Sequence, residues 1–385
     1  MKSNNWRLLF LVFLAILSAC NTLPKEKSET SNQPATGSKN LIHYAKGFSL
    51  ERYDNYTFVT VFNPWKQGDT LATYILIRSR KKSSGIAKSA NFRIQIPVNR
   101  VASLSSTFLG MFSLLRESAK ISASTDPKLI YDSLMYHRYL NGTLVDLGES
   151  MQPNTEAIVG HNPDLLMKYV YGAKDALDEK IISAGIPVAY NLEFMETHPL
   201  GRAEWIKFVA AFLDDGAKAD SIFNSIEQTY LNLSKLAIKT GIRPTVLDGS
   251  SYKGVWYAAG GKSFPAKLYA DAGADYYWKN DDNRGSVPRS FEVIIEKQAN
   301  SDYWIGPSTG SKEELLSIES RFNLLKPFRA GNVYHFGKRV NPNGGLDYYE
   351  SGVIHPEILL KDLIFIFHPE LLPPDYEPVY LQKVK

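Results

Sequence analysis

Trp256 and Tyr257, with Tyr252 just before them, lie in a stretch that runs into Ala258-Ala259-Gly260-Gly261. Tyr277 and Trp278 follow, and Asn283-Arg284-Gly285 comes soon after. Flat aromatic faces supply contact area, and a guanidinium supplies a fixed fork of donors for anionic oxygen. Together they suit holding a bulky, polar-rimmed ligand better than making or breaking a bond. Two further groups have the same character: Lys168, Tyr169 and Tyr171, and Asp347-Tyr348-Tyr349 after the turn Asn341-Pro342-Asn343-Gly344-Gly345. The candidate ligand contacts are Trp256, Tyr257, Arg284, Tyr252, Trp278 and Tyr169. Each aromatic has an alternative place in a hydrophobic core. Trp256 and Arg284 are the first choices, because glycine-rich surroundings favour exposure.

Other chemistries find less to use. His43, His137, His161, His198, His335, His355 and His368 show no close pair at metal-ligand spacing. A single His or Tyr can ligate haem iron, but no residue is assigned to a bare metal and no resident cofactor is expected. Gly249-Ser250-Ser251 is not a GxSxG nucleophile elbow, and no HExxH occurs. Asp214-Asp215 and Asp281-Asp282 read as turn or capping acids. The chain is expected to bind rather than to catalyse.

Cys20 is the single cysteine. Lys2 and Arg7 precede an apolar run from Leu8 to Leu17, and Leu17-Ser18-Ala19-Cys20 closes it. This is the layout of a secretory signal with a small-residue cleavage site, and it resembles a lipobox. Acylation of Cys20 after removal of residues 1–19 would anchor the protein to a membrane, since each buried methylene contributes roughly 0.8 kcal/mol. Residues 20–40 are polar and poor in aliphatic side chains, as in a disordered tether. A lone cysteine excludes an internal disulfide and any CxxC site. The formal charge is +4, or +2 once Lys2 and Arg7 are removed, which gives no reason to expect nucleic acid as a partner.

The elements that position the candidate residues follow from periodicity. Tyr56–Phe62, Leu71–Ile77 and Phe92–Val98 read as strands. Strands and helices then alternate: strand over 100–106, helix Phe108–Ser118, strand Asp164–Tyr169, helix Ala173–Ala184, strand Ile186–Tyr190. Arg202–Leu213 reads as one amphipathic helix. Ile222, Phe223, Ile226, Tyr230, Leu233 and Ala237 trace a second, longer one that ends near Thr240-Gly241. Alternation resumes with strand Thr245–Gly249, helices Ala266–Ala272 and Phe291–Lys297, strands Asp302–Gly306 and Asn332–Phe336, and a closing helix Leu359–Phe367. The expected class is α/β: two α/β lobes joined by one long rigid helix, with an added N-terminal β-rich segment. The boundaries are 41–215 for the first lobe with its β-rich extension, 216–240 for the helix and 241–385 for the second lobe.

From about Arg100 to Phe367 this pattern resembles the iron-siderophore and cobalamin binding proteins of ABC importers. The local match is Glu196-Thr197-His198-Pro199-Leu200-Gly201-Arg202-Ala203-Glu204-Trp205-Ile206-Lys207-Phe208. The segments Glu156…Asn162-Pro163-Asp164 and Glu292…Asn300-Ser301-Asp302 also fit. The resemblance implies a ferric siderophore as ligand, held between the lobes and delivered to ABC permease subunits. Cobalamin or haem on the same scaffold is the alternative, as is a ligand-sensing lipoprotein that feeds no transporter. It implies that Glu156 and Glu292 dock on the permease. It further implies a monomer in the cell envelope, on the periplasmic side and held by its lipid. A helical joint resists bending, so a small closure is expected.

Overall fold

Period-two patterning builds the first sheet. The computed structural model describes residues 40–78, 86, 88–172 and 175–385. Cys20, the signal segment, the tether through residue 39 and Ala173 lie outside the described residues. Strands β1 (Phe48–Arg52), β2 (Tyr56–Phe62), β3 (Thr70–Arg78) and β4 (Phe92–Ile96) form one sheet in that order. The first two pairings are antiparallel and the third is parallel. Register puts Phe48 beside Val61, Val59 beside Tyr74 and Leu76 beside Ile94, so one face is a continuous apolar surface.

The first lobe is a parallel sheet of β5 (Val101–Ser103), β6 (Ile121–Ser124), β7 (Val145–Asp146), β10 (Leu165–Lys168) and β11 (Val188–Tyr190), ordered β11-β10-β5-β6-β7. A short hairpin, β8 (Gly148–Glu149) with β9 (Gln152–Pro153), projects beside it. Its helices are α1 (Ser106–Leu114), α2 (Ser133–Leu140), α3 (Thr155–His161) and α4 (Ala176–Ser183). Both β5 and β10 are wholly buried, as strands of a sheet covered on two faces must be.

The expected helix over 202–213 is two: α5 (Pro199–Glu204) and α6 (Ile206–Leu213), separated by Trp205. Pro199 opens α5 at a position where its missing N–H is no loss, and the His198 imidazole accepts from Leu200 N at 3.1 Å. A Trp205 N to Arg202 O bond of 3.3 Å tightens the turn where the two helices meet. The Trp205 indole packs on Phe48 and Phe208, which fastens α6 under the N-terminal sheet. Then α7 (Gly216–Ile238) runs 23 residues, about 35 Å at 1.5 Å per residue. It buries Ala219, Phe223, Ile226, Tyr230, Ser234 and Ala237, the single stripe its sequence carries.

The second lobe orders β12 (Thr245–Asp248), β15 (Asp275–Tyr276), β17 (Tyr303–Ile305), β18 (Val333–His335) and β19 (Gln382–Lys383) as β15-β12-β17-β18-β19. A small antiparallel sheet of β13 (Ser250–Tyr252), β14 (Val255–Ala259) and β16 (Ser286–Arg289) follows directly after β12. Its helices are α8 (Phe264–Asp271), α9 (Phe291–Gln298), α10 (Lys312–Ile318), α11 (Lys326–Ala330), α12 (Asp347–Glu350) and α13 (Pro356–Phe367). Helix α7 packs against α6 on one side and α13 on the other.

A second connection joins the lobes. Asn341 Nδ2 donates to Lys128 O and Ile130 O, at 2.8 and 2.9 Å. The Glu350 carboxylate accepts from Tyr131 N and Asp132 N, at 2.7 and 2.8 Å. The backbones touch at two glycines. A Cβ on Gly110 would stand 1.9 Å from Glu350 O, and one on Gly345 would stand 1.9 Å from Leu129 O. The lobes are therefore held by α7 and by the segment 341–350 together, which narrows the motion expected of a single helical joint.

Candidate functional site

Each lobe changes winding direction once: between β5 and β10 in the first, and between β12 and β17 in the second. Ligands of open α/β sheets sit in the crevice at the carboxyl ends of strands at such points. Here the two crevices face a common cleft. On the first-lobe side, Ser105 to Phe108, Thr125, Asp126, Leu129, Ser150, Tyr169, Tyr171, Glu193 and Phe194 enclose about 470 Å³, with Tyr349 reaching in from the second lobe. Across the cleft, Tyr257, Ser263, Phe264, Pro265, Arg284 and Tyr348 face Phe194, Glu196 and Arg202 around about 250 Å³. A third cavity, about 610 Å³, continues from Arg284, Glu196 and Met195 to the loop between β2 and β3.

The walls are aromatic. Tyr171 packs between Tyr169 and Phe194, with both centroid distances 5.3 Å. Tyr171 is 69% exposed and Tyr349 is 54% exposed, so their faces are available. Burial raises the Tyr169 phenol above its ordinary value and keeps it protonated at neutral pH.

Acids and cations both line the cleft: Asp126 and Glu193 on the first-lobe side, Arg202 and Arg284 with Glu196 and Asp248 across it. The N-terminus of α1, capped by Ser105, and that of α8, capped by Ser263, both line the cleft. Each carries roughly half a positive charge, but in α8 Pro265 has no N–H and Ala266 N already donates to the Ser263 hydroxyl at 3.3 Å. Arg202 pairs with the buried Glu193 and lies 5.2 Å over Phe264 of the opposite lobe. Arg284 has no ion-pair partner among the described residues, yet its backbone is pinned. Gly260 N donates to Gly285 O at 2.8 Å, and Lys262 N donates to Asn283 O at 3.0 Å. Behind this wall, Asp248 accepts from Ala259 N at 2.8 Å and from the Tyr269 hydroxyl, and burial pushes its carboxyl up to about 6.

The structure brings Tyr169, Tyr257 and Arg284 to the cleft, with Tyr171, Tyr348 and Tyr349. It places the other three candidates elsewhere. Trp256 is fully buried, its indole N–H donating to Asp248 O at 2.8 Å and its ring against Trp304 and Phe322. Strand alternation is the reason: Tyr257 points out where its neighbour points in. Trp278 is buried under Arg289, whose guanidinium lies 4.2 Å from the ring. Tyr252 is exposed at the tip of the β13–β14 hairpin, away from the cavities, with Lys253 over its ring. Lys168 lines a side chamber but is taken up by Asp175 and Asp178, at 3.0 and 3.2 Å. Sequence reasoning passed over Phe194, Phe264 and the α1 and α8 N-termini. The signal was present: Ser105 marks a helix start after β5, and Ser263-Phe264-Pro265 marks one after β14.

Glu156 and Glu292 occupy the first turns of α3 and α9, after caps from Asn154 and Ser290. Both are exposed, and Glu292 pairs with Arg321 at 2.9 Å. Each helix is entered from a segment that lines the cleft system, through Pro153 and Ser286 respectively.

Comparison with known proteins agrees with this geometry. A Methanocaldococcus jannaschii protein named as an uncharacterized lipoprotein is 26% identical over 391 residues, covering 94% of this chain and 92% of its own. That span is too long to omit the N-terminal sheet. A periplasmic haem-binding protein from Pseudomonas aeruginosa superposes with a TM-score of 0.55 at 17% identity, covering 75% of this chain and 98% of that one. One from Vibrio cholerae gives 0.53 at 18% identity, covering 68% and 98%. Both are likenesses of fold. The model of the family described as periplasmic binding protein matches residues 101–340, from β5 to just beyond β18. With that match over more than half its length, this chain belongs to the periplasmic binding protein family.

Proposed function

We propose that this chain is the substrate-binding lipoprotein of an ABC importer and captures an anionic ferric siderophore-type complex in the interlobe cleft. One observation carries the reading. The N-termini of α1 and α8, one from each lobe, and Arg284, which has no ion-pair partner among the described residues, line adjoining parts of an aromatic-walled cleft. Aromatic faces supply area for a bulky rigid chelate, and the Arg284 guanidinium with the helix ends suits anionic oxygen donors of a ferric chelate. A cleft already held at one width fits such a ligand without a large reorganisation cost. Tyr169, Tyr257 and Arg284 are the proposed contacts. Delivery is to permease subunits through Glu156 and Glu292, with Cys20 as the lipid anchor.

Haem is the second reading. The phenols of Tyr169, Tyr171 and Tyr349 line the same cavity, and a tyrosine oxygen is an established kind of ferric haem ligand. Calorimetric titration with ferrichrome A, ferric enterobactin, haemin and cyanocobalamin decides among them. Submicromolar binding of a ferric siderophore is expected. Binding of haemin alone, with a phenolate charge-transfer band, would transfer the assignment to haem. Binding of cyanocobalamin alone would remove the iron reading. The anchor is tested separately by mass spectrometry of the mature N-terminus, where an unmodified Cys20 would dismiss it.

A further inference from the structure

The N-terminal sheet is fastened to the family core by two buried carboxylates. Glu204, fully buried, accepts from the backbone N–H groups of His43, Tyr44 and Ala45, at distances from 2.7 to 3.1 Å, and from Lys207 Nζ at 2.9 Å. Glu196 accepts from Lys46 N, Gly47 N and the Trp205 indole N–H, between 2.8 and 3.0 Å. Gly47 is required there, since a Cβ would stand 2.7 Å from the Trp205 ring. Phe62 N then donates to Gly47 O at 2.8 Å, which ties the end of β2 to the same anchor. The β2–β3 register shifts between Val61 and Phe62, and strand alternation after buried Val61 leaves the Phe62 ring outward, 39% exposed.

These ties set the loop after β2 opposite Arg284, and the cavity of about 610 Å³ lies between them. Its polar character is uneven. Lys46 and Arg284 are both exposed and without an ion-pair partner among the described residues. The acid in the wall, Glu196, is 5% exposed and already occupied by N–H donors. Phe62, Pro64 and Met195 supply apolar surface. Two free cations over an apolar floor match a carboxylate on a hydrocarbon arm, not a neutral polar group.

We propose that the N-terminal β-module completes the ligand site: its cavity holds an acidic arm of the chelate, with Lys46 and Arg284 as cations and Phe62, Pro64 and Met195 as apolar walls. This rests on the reading of the interlobe cleft as the chelate site. Lys46 is then a specificity-determining residue outside the two lobes.

Ferrichrome and ferrichrome A test it. They share a cyclic peptide trishydroxamate core, but only ferrichrome A carries a carboxylate on each arm. Affinities of the full-length protein for both are measured by calorimetry. Wild type is expected to prefer ferrichrome A. Lys46→Ala should weaken ferrichrome A about three- to tenfold, as for a partly exposed charge-assisted contact, and leave ferrichrome unchanged. Lys46→Arg should restore the preference, and raised salt should erode it. Equal affinities for the two chelates in wild type, equal effects of Lys46→Ala on both, or binding of neither would overturn the subsite. The cleft reading is decided apart from this, by ferric enterobactin and haemin, which bind or fail to bind whatever Lys46 does.

Discussion

At the scale of single residues, Trp256 and Tyr257 show where sequence reading stops. Their aromatic character was plain, but β14 was not recognised as a strand, so nothing said which neighbour faces inward. Register decides it: Trp256 lies opposite Ser251 and Arg289, inside the small sheet. Arg284 was legible because an arginine between Asn and Gly has few buried roles. The two positions should separate cleanly on mutation. Trp256→Ala should cost about 3–5 kcal/mol of stability, as for truncation of a core aromatic, and spare affinity in molecules that remain folded. Arg284→Ala should leave the unfolding midpoint within about 0.5 kcal/mol, as for a surface change, and weaken a ferric chelate at least tenfold. Paired denaturant melts and titrations check both, and the reversed pattern would restore Trp256 to the cleft. Glu350 gives a pH signature. Burial pushes its carboxyl up to about 7, against the opposing pull of the Tyr131 and Asp132 N–H groups. A folded value above the unfolded one means the folded state holds the proton more tightly. This group's contribution therefore falls as pH rises from about 4.5 to about 7, and is level beyond. Glu350→Gln cannot titrate. Its stability relative to wild type should climb across that window by on the order of 3 kcal/mol, after a constant offset for the altered hydrogen bonds. Melts across the window read it, and a flat difference would dismiss the coupling.

At the scale of elements, periodicity located α7, the β-rich start and most of the alternating strands and helices. It failed at Trp205, where the apolar stripe continues through a break. A stripe records which face is buried, and α5 and α6 both bury theirs. Pro199 was the available boundary signal, and it marks the start of α5 rather than a residue inside a longer helix. The segment 341–350 was invisible for a different reason. Its hold on the first lobe is by backbone carbonyls and amides, through Asn341, Gly345 and Glu350, and such contacts leave no hydrophobic pattern. Gly345→Ala tests the link. The new methyl group would overlap Leu129 O, so the mutant should lose about 2–3 kcal/mol, as for overpacking of a tight contact. Small-angle scattering should show a larger radius of gyration. An unchanged radius and midpoint would mean that α7 alone sets the lobe separation.

At the scale of the whole molecule, the family core, the added sheet and the cleft form one unit in which the exposed acids Glu156 and Glu292 lie on separate lobes. An acid in a first helical turn has a plain structural use, about 0.3–1 kcal/mol with the helix dipole. Docking predicts more than that. Reversing both to Lys should abolish uptake into cells and leave chelate affinity within about twofold, since neither lines the cleft. Normal uptake by the double mutant would dismiss the docking role, and lost affinity would place these acids in the ligand site. The double tie between lobes has a kinetic consequence as well. Where α7 and 341–350 hold the cleft at one width, meeting the ligand and capturing it are a single event. Association should then follow diffusion and electrostatic attraction, quickening at low salt, with no slower phase for closing. Departure by the same path likewise needs no opening step. On the proposed reading, a bound chelate leaves by its own intrinsic rate unless something pries the lobes apart at Gly110 and Gly345, and the work of hastening release would fall to the permease surface on which the lobes dock.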